Sequence, residues 1–334
     1  MTWLIVLAGV ASCLMTAALR RYALSRSLLD IPNARSSHTL PTPRGGGLAF
    51  VAAFLVAMLG LGWGGYIGTV MLTSLLGAGG LVALIGFADD HGHIAARWRL
   101  LGHFAAAAWG LAWLGGMPPL TVFGLQLAPA WLGVVIGLLY LVWLLNLYNF
   151  MDGIDGIASI EAICVCLGGS LLYWVTGHAD ATWLPMLLAA TVAGFLCWNF
   201  PPARIFMGDA GSGFLGIVLG LLALQAGWIN PLLFWGWLIL LGVFVVDATY
   251  TLVRRLLRGD KVYEAHRSHA YQYASRRHGS HRPVSLAVAA INLAWLLPVA
   301  LAVVLFELDG AAGTLIAYVP LILMAITYHA GKKE

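Results

Sequence analysis

The sequence predicts an all-α fold: a polytopic membrane bundle of about eleven transmembrane helices. Two observations lead to this prediction. First, 61% of the residues are apolar and only 10% are charged, whereas soluble domains carry about 25% charged residues. Second, apolar stretches of about 20 residues, long enough to cross a bilayer as a helix, recur along the chain. One continuous bundle accounts for residues 1–334, so we expect a single domain. The predicted spans lie near 2–19, 46–64, 68–87, 101–116, 130–147, 157–176, 181–198, 212–228, 231–252, 285–306 and 313–329.

The basic residues predict how this bundle is oriented. Loops alternate between the two membrane faces, and all 18 Lys and Arg residues fall in loops of one parity. Because basic loops stay on the cytoplasmic side, we expect the N-terminus outside and the C-terminus in the cytoplasm. The first span lacks an A-x-A cleavage site and is followed by Arg20 and Arg21, so we expect it to be retained. The net charge of +4 then reflects topology and attraction to anionic headgroups, and no nucleic-acid partner is expected.

Two adjacent acids close the third predicted span, in the stretch GFADDHGH. Asp89 and Asp90 would lie at a helix C-terminus, where the partial negative charge disfavours carboxylates. No basic residue at helical spacing offsets them. We therefore expect a bound divalent cation or a protonated member of the pair. The alternative is a pair of solvated loop acids.

Polar residues are also concentrated at the end of the fifth predicted span, in NLYNFMDGIDG. Asn149, Asp152 and Asp155 are spaced by three, so they share one face if the segment stays helical. Gly153 and Gly156 keep the region thin, which allows a ligand or a backbone to approach. Carboxylate and amide oxygens suit Mg²⁺ rather than zinc. The alternative is a capping cluster in which one aspartate starts the next helix.

A glycine-rich turn follows the seventh predicted span, in FMGDAGSGFLG. A helix begins close by, and backbone N–H groups at a helix N-terminus form an anion site. Asp209 can either cap this helix or hold a phosphate through a metal, and Phe206 can stack on a base. The stretch is not a G-x-S-x-G nucleophile elbow, because Gly211 precedes Ser212 and Ala210 occupies the required glycine position.

A large polar loop lies between the ninth and tenth predicted spans and contains AHRSHAYQ. His266 and His269 are three residues apart with Arg267 between them, which favours contact with phosphate. The alternative is a basic patch on the membrane surface. All four polar clusters fall on the predicted cytoplasmic face. Together they indicate metal-assisted reaction of a phosphate compound, with Mg²⁺ (or Mn²⁺) neutralising a diphosphate.

These motifs resemble those of the polyprenyl-phosphate N-acetylhexosamine-1-phosphate transferases, glycosyltransferase family 4. The sequence HRSH resembles that of the branch that initiates O-antigen and other polysaccharides. The peptidoglycan branch typically has three consecutive histidines at this place, which this chain lacks. The matching stretches follow the family's order and are DIPNARSSHTLPTPRGGG (30–47), GFADD (86–90), NLYNFMDGIDG (146–156), FMGDAGS (206–212) and AHRSHAYQ (265–272).

The resemblance implies a reaction at the cytoplasmic face of the bacterial inner membrane. A lipid phosphate, undecaprenyl phosphate, attacks the β-phosphorus of a UDP-N-acetylhexosamine. UMP leaves, and a lipid-linked diphosphate sugar forms. This step initiates the synthesis of a lipid-linked cell-surface polysaccharide, such as the O-antigen of lipopolysaccharide.

The resemblance also assigns residues, motif by motif. Asp209 would be the main Mg²⁺ ligand, and Asp152 would be a metal-site or nucleotide-sugar residue. Asp89 would deprotonate the lipid phosphate, Asn149 would contact the diphosphate, and Phe206 would stack on uracil. Both histidines of the loop would contact phosphates or the sugar side of the donor. The catalytic set is Asp89, Asp90, Asp152, Asp155, His266 and His269, and the substrate-binding set is Asn149, Phe206, Arg267, Arg44 and Ser212.

Several alternatives stay open within this family. Asp89 can act as a base in a direct displacement, or it can attack phosphorus itself and form an aspartyl phosphate. We favour displacement, because a secondary phosphate pKa near 6 leaves the acceptor mostly dianionic at neutral pH. His93 stands where many relatives carry an acid, so no role of that acid transfers. The donor sugar can be N-acetylglucosamine, a 6-deoxy relative or N-acetylfucosamine, and a homodimer is left open.

The rival class is a secondary transporter of an anionic solute. Transporters place polar residues near the bilayer midplane, often in two related halves. Here the acidic clusters converge on one membrane surface, and no internal repeat is visible. The sequence therefore favours the enzyme.

Overall fold

The computed structural model describes residues 2–32, 40–92, 94–126, 130–260 and 266–333. Most of this chain, 77%, is helical, which confirms the all-α membrane fold. The helices are α1 (Thr2–Ser25), α2 (Gly47–Trp63), α3 (Thr69–Gly92), α4 (Ala96–Leu114), α5 (Ala130–Met151), α6 (Ile157–Val175), α7 (Trp183–Asn199), α8 (Asp209–Ile229), α9 (Pro231–Leu240), α10 (Gly242–Leu257), α11 (Ala270–His278), α12 (His281–Ile291), α13 (Leu297–Leu305) and α14 (Gly310–Thr327). A 3₁₀ turn (Ala179–Thr182) precedes α7, and a π-helical segment (Asn292–Leu296) joins α12 to α13.

Every predicted span coincides with a helix or a run of joined helices. Eight helical segments of the described chain are long and apolar enough to cross a membrane, and α9 with α10, bent by 69°, makes a ninth if counted as one span. Helix α2 has 17 residues, about 26 Å at 1.5 Å per residue, which is slightly short for a hydrocarbon core of about 30 Å. Helix α4 carries Arg97 and Arg99 in its first turn. The count of eleven, the orientation and the single-domain assignment stay predictions.

Helix α8 is the central helix of the bundle, and 83% of its span is buried. Glycines bring two other helices close to it. A Cβ at Gly216 of α8 would lie 2.6 Å from the Cα of Leu145 in α5, and one at Gly86 of α3 would lie 2.5 Å from the backbone nitrogen of Ala210. Small residues allow helices in membranes to pack this closely. As a result, the C-terminal ends of α3 and α5 meet the N-terminal end of α8.

Two short strands support the same end of the bundle. Strand β1 (Leu29–Asp30) pairs antiparallel with β2 (Thr42–Pro43). The backbone N–H of Phe206 donates to the carbonyl of Pro43 over 2.8 Å, and the N–H of Gly46 donates to the carbonyl of Phe206 over 2.9 Å. These bonds hold the turn before α8 against the segment before α2. A second pair, β3 (Thr121–Val122) and β4 (Leu125–Gln126), connects α4 to α5.

The C-terminal segment of the chain packs on the loop that precedes α11. The N–H of Gly331 donates to the carbonyl of Ser268 over 2.7 Å. Arg254 of α10 donates to the carbonyl of Ala330 over 2.8 Å, and Arg258 donates to that of Gly331 over 2.7 Å. The end of α10 therefore holds the C-terminal segment, which in turn contacts the loop containing His266 and His269.

Candidate functional site

The carboxylate of Asp90, in α3, occupies the anion site at the first turn of α8. The backbone N–H groups of Asp209 and Ala210 donate to Asp90 Oδ1 and Oδ2 over 3.3 and 3.5 Å. The N-cap is Gly208, at φ 79°, and it has no side-chain capping bond. A Cβ at Gly208 would stand 2.7 Å from Asp90 Oδ2, so this contact requires glycine. The sequence predicted an anion site at this helix, but it did not indicate that Asp90 occupies it. The alternative in which Asp209 is the N-cap is wrong, because the N-cap is Gly208.

Asp89 has two partners that the sequence analysis did not find. The backbone N–H of Ile94 donates to its Oδ1 over 2.7 Å, and Arg99 of α4 forms an ion pair with its Oδ2. The same guanidinium nitrogen, Nη1, lies 3.4 Å from Asp209 Oδ2. No basic residue at helical spacing offsets the acidic pair, but Arg99 of the next helix does, and the sequence analysis did not foresee this. The alternative of two solvated loop acids is wrong, since both carboxylates are bonded.

Asn149 connects α5 to the start of α8. Its Nδ2 donates to Asp209 Oδ1 over 2.9 Å and to Ser212 Oγ over 3.1 Å. Asn146, one turn earlier, donates instead to the carbonyl of Val142 in its own helix over 2.7 Å. Asn149, Asp209 and Ser212 thus form one cluster, as the motifs predicted.

The aspartates after α5 do not lie on a continued helical face, and that expectation is wrong. Helix α5 ends at Met151, and Asp152 and Asp155 follow in a loop. The N-cap of α6 is Gly156, at φ 74°, so neither aspartate starts that helix as the capping alternative proposed. Left-handed backbone at Gly156 is favourable only for glycine, so the position directly before α6 requires this residue.

Asp155 holds loops together. Its Oδ1 lies 3.1 Å from His281 Nδ1, and its Oδ2 accepts a hydrogen bond from the N–H of Ala203 over 3.0 Å. Its carbonyl accepts from Ser285 Oγ over 2.7 Å. These bonds join the α5–α6 loop to the turn before α8 and to α12. The structure gives Asp155 a supporting position, and its catalytic role stays a prediction.

The loop that contains His266 and His269, which we call the histidine loop, contributes a neutral hydrogen-bond donor. Burial lowers the pKa of His266 to about 3, and the nearby His269 and Arg255 lower it as well. The backbone N–H of Ser268 lies 3.4 Å from His266 Nδ1, and Ser268 Oγ lies 2.9 Å from the same nitrogen. In the tautomer in which Nδ1 accepts from both, the neutral ring carries its proton on Nε2. Neutral His266 can therefore donate from Nε2 without adding charge.

Two cavities meet at this cluster. The first, which we call the loop cavity, has a volume of about 890 Å³, and the second, the helix cavity, of about 1450 Å³. Asn149, Gly153, Asp209 and Gln272 line both. The loop cavity is also lined by the predicted residues Arg44, Asp90, Asp152, Asp155, Phe206 and Ser212, and the helix cavity by Asp89, His266 and His269.

The two cavities differ in character. The loop cavity is largely polar and contains an aromatic ring, that of Phe206, and a guanidinium, that of Arg44, which donates to the carbonyl of Asp90. The helix cavity has apolar walls that include Leu100 and Leu145. Arg267 lines neither cavity within the described chain, and its backbone carbonyl accepts a bond from Arg276 over 3.1 Å. Its predicted role in substrate binding stays a prediction.

The donors around Asp209 fit a magnesium ion by their chemistry. Burial raises the pKa of Asp152 well above its usual range, and the carboxylates of Asp209, Asp155 and Asp90 raise it further. A divalent cation would relieve this repulsion, and carboxylate and amide oxygens are its preferred ligands. Among the described residues, no three His, Cys, Asp or Glu side chains already stand together as a metal site. Asp209 and Asp152, which both line the loop cavity, are the carboxylates that would hold the ion.

Three residues that the sequence analysis missed belong to the site. Arg99 contacts two of its acids, Gln272 lines both cavities, and His103 lines the helix cavity. Only Arg99 had a usable signal, as a basic residue on the same predicted face ten positions after Asp89. His93, where relatives carry an acid, lies outside the described residues.

Comparison with known proteins adds an independent finding. The family description Glycosyl transferase family 4 matches residues 72–227. The probable undecaprenyl-phosphate N-acetylglucosaminyl 1-phosphate transferase of Bacillus subtilis (strain 168) is 28% identical over 298 residues, which cover 86% of this chain and 82% of that protein. The decaprenyl-phosphate N-acetylglucosaminephosphotransferase of Mycobacterium tuberculosis (strain ATCC 25618 / H37Rv) is 28% identical over 320 residues, covering 84% and 77%. The phospho-N-acetylmuramoyl-pentapeptide-transferase of Moorella thermoacetica is 32% identical over 199 residues, covering 55% and 61%.

Proposed function

The chain belongs to glycosyl transferase family 4, and from that premise we propose that it transfers an N-acetylhexosamine 1-phosphate group from a UDP-sugar to undecaprenyl phosphate and releases UMP. The observation that carries the proposal is the meeting of a polar and an apolar-walled cavity at Asp209 and Asn149. A transferase that joins a water-soluble donor to a lipid needs such a pair of sites. The similar proteins are transferases, so the transporter alternative is not favoured.

The loop cavity is the proposed donor site. Phe206 offers a ring on which uracil can stack, and Arg44 offers a guanidinium for a phosphate. Asp209 and Asp152 would hold Mg²⁺, which would neutralise the diphosphate and leave its β-phosphorus open to attack. Asn149, held 2.9 Å from Asp209 by its hydrogen bond, lies where it can contact the same diphosphate.

The helix cavity is the proposed acceptor site. Its apolar walls suit the first isoprene units of a polyprenyl chain, and its charged end contains Asp89 and Arg99. Arg99 can bind the lipid phosphate while it still faces Asp209, because its Nη1 lies 3.4 Å from Asp209 Oδ2. In this proposal the acceptor phosphate lies beside the donor diphosphate, and such positioning supplies much of the rate in phosphoryl transfer.

The reaction then exchanges one phosphorus–oxygen bond for another. An oxygen of the lipid phosphate attacks the β-phosphorus of the UDP-sugar, and the bond to the bridging oxygen breaks with its electron pair leaving on UMP. Asp89 takes the proton from acceptor molecules that are still monoanionic. Neutral His266 donates a hydrogen bond from Nε2 to the charge that develops on phosphate oxygens.

The biological setting is also part of the proposal. We infer that the chain lies in the bacterial inner membrane with this site on the cytoplasmic face, where the UDP-sugar is made, and that it starts a cell-surface polysaccharide such as O-antigen. A reporter fused after Arg258 should read cytoplasmic, and one fused near Asp309 should read external. The reverse pattern would remove the cytoplasmic site from the proposal.

A donor panel tests the proposal directly. Purified protein in detergent would be incubated with undecaprenyl phosphate, Mg²⁺ and one UDP-sugar at a time: UDP-N-acetylglucosamine, its 6-deoxy relatives or UDP-N-acetylfucosamine. We expect one donor to yield UMP and a lipid-linked diphosphate sugar in equal amounts. Failure of every UDP-N-acetylhexosamine, with the protein folded, would contradict the proposal.

A further inference from the structure

A buried carboxylate outside the two cavities anchors the helix that follows the histidine loop. Asp247 of α10 is only 7% exposed. Its Oδ1 accepts a hydrogen bond from the backbone N–H of Ala270 over 2.9 Å, and its Oδ2 accepts one from Tyr271 over 3.0 Å. Thr251 Oγ1 adds a third bond, over 3.2 Å. These two N–H groups belong to the first turn of α11, so Asp247 satisfies the N-terminus of a helix more than 20 residues further along the chain.

The same carboxylate faces the ring of His269. His269 Nδ1 lies 3.4 Å from Asp247 Oδ1, and His269 is the N-cap residue of α11. The ring is stacked between those of His266 and Tyr271, with centroid distances of 4.9 and 5.6 Å. Because Nδ1 faces the carboxylate, Nε2 is the nitrogen left for a ligand in the helix cavity.

Helix α11 also fixes the loop after α5. The hydroxyl of Tyr271 donates to the carbonyl of Phe150 over 2.9 Å, and a Cβ at Gly153 would lie 2.1 Å from that hydroxyl. Tyr271 therefore packs against the start of the loop that carries Asp152. Asp247 accepts a hydrogen bond from the N–H of this same tyrosine, so the carboxylate that faces His269 also anchors the residue that contacts the α5–α6 loop.

We propose that Asp247 is a positioning residue that holds His269 against the helix cavity by anchoring the N-terminus of α11. The kinetic test of this inference rests on the proposed function, because it measures turnover of the UDP-sugar. Asp247 lines neither cavity in the described chain, so it would act on the reaction through His269. A buried carboxylate with this set of donors is expensive to replace, because removing it leaves two buried N–H groups without an acceptor.

A double-mutant cycle between Asp247 and His269 tests the inference. Asp247→Asn should lower kcat by about 10- to 100-fold, the range expected when a reacting group is misplaced by about 1 Å, with a smaller change in KM for the UDP-sugar. In the His269→Ala background, the same substitution should change kcat by no more than about twofold, because the group it positions is gone. Equal losses in both backgrounds would overturn the inference.

Two controls separate positioning from general loss of structure. Ser74→Ala removes another buried bond, from Ser74 Oγ to the carbonyl of Gly110 at 3.1 Å, away from the site, and it should leave kcat unchanged. If Asp247→Asn does not fold, Thr251→Val removes one donor to the same carboxylate and can be used in the same cycle. Thr251→Val should lower kcat less than Asp247→Asn does, and this loss should also disappear in the His269→Ala background. A loss that persists there would count against the inference.

Hydrogen exchange keeps the inference testable even if the proposed function fails. In Asp247→Asn, the amides of Ala270 and Tyr271 should exchange faster than in the wild-type protein, while amides in the middle of α8 keep their protection. This result does not depend on which substrate the enzyme uses. Unchanged protection at both amides would overturn the inference, whereas a lack of turnover by the wild-type protein would overturn only the proposed function.

Discussion

The backbone N–H of Asp209 donates a hydrogen bond to Asp90 Oδ1 over 3.3 Å. The last acid of α3 therefore lies on the first turn of α8, where the helix dipole favours a negative charge. The bond joins two motifs that are more than 100 residues apart in the sequence. The Asp209 side chain itself contacts Asn149 and Arg99.

Asp90→Asn should destabilise the protein by about 1 kcal/mol, because a neutral amide interacts less favourably with the N-terminus of α8 than a carboxylate does. The measurement is the free energy of unfolding in detergent. Asp180→Asn is the matched control, since Asp180 is exposed in the 3₁₀ turn before α7. Equal stability of Asp90→Asn and the wild-type protein would show that the contact does not contribute.

Asp209→Asn should nearly abolish turnover while the protein stays folded. Loss of a metal ligand typically costs several kcal/mol of transition-state stabilisation, and about 4 kcal/mol corresponds to roughly 1,000-fold in rate. The measurement is kcat at saturating Mg²⁺, again with Asp180→Asn as the control. A mutant with more than half of the wild-type activity would refute the role of Asp209 as a metal ligand.

Asp89→Asn should lower activity most at acidic pH and recover part of it as the pH rises. Asp89 is needed only for acceptor molecules whose phosphate is still monoanionic, and a secondary phosphate loses its last proton near pH 6. The measurement is the ratio of mutant to wild-type kcat between about pH 5.5 and 8.5. Trapping of a phosphorylated Asp89 would contradict the direct displacement and favour the two-step route.

His266→Gln should make stability less sensitive to acid. The pKa of His266 is lowered to about 3 in the folded protein, mainly by burial, whereas the unfolded chain should protonate it near 6.5. Below pH 6.5 the unfolded state therefore binds a proton that the folded state resists, so the wild-type protein loses stability as the pH falls from there toward about 3. Glutamine does not titrate, so the wild-type melting temperature should fall more than that of the mutant between about pH 7 and 5. Parallel curves would show that His266 does not contribute.

The fold was predictable because it depends on local properties. Length and hydropathy alone located every predicted span on a helix or a run of joined helices, but they did not indicate the break at Leu241 or helix α11, which lies in the predicted polar loop. The motifs also predicted that their polar side chains would converge on one face of the bundle. Asn149, Asp209 and Ser212 form one cluster, as the two motifs implied.

The predictions that failed concerned contacts between distant parts of the chain. The ion pair of Asp89 with Arg99 requires the turn between α3 and α4, and no periodicity within α3 indicates it. To predict the position of Asp155, one would have to know that helix α5 ends at Met151. The backbone therefore leaves the helix before it reaches Gly153 and the left-handed Gly156. Glycine was interpreted as thinning the helix there, whereas the segment is a loop.

The most direct test of the proposed chemistry is the identity of the leaving group. A transferase that breaks the bond between the anomeric carbon and phosphate releases UDP, whereas attack on the β-phosphorus releases UMP. One diphosphate linkage replaces another in the proposed reaction, so it should be readily reversible. Labelled UMP should therefore exchange into the UDP-sugar when undecaprenyl phosphate and Mg²⁺ are present, and not when the lipid is omitted. Exchange of labelled UDP without exchange of UMP would contradict the proposed function.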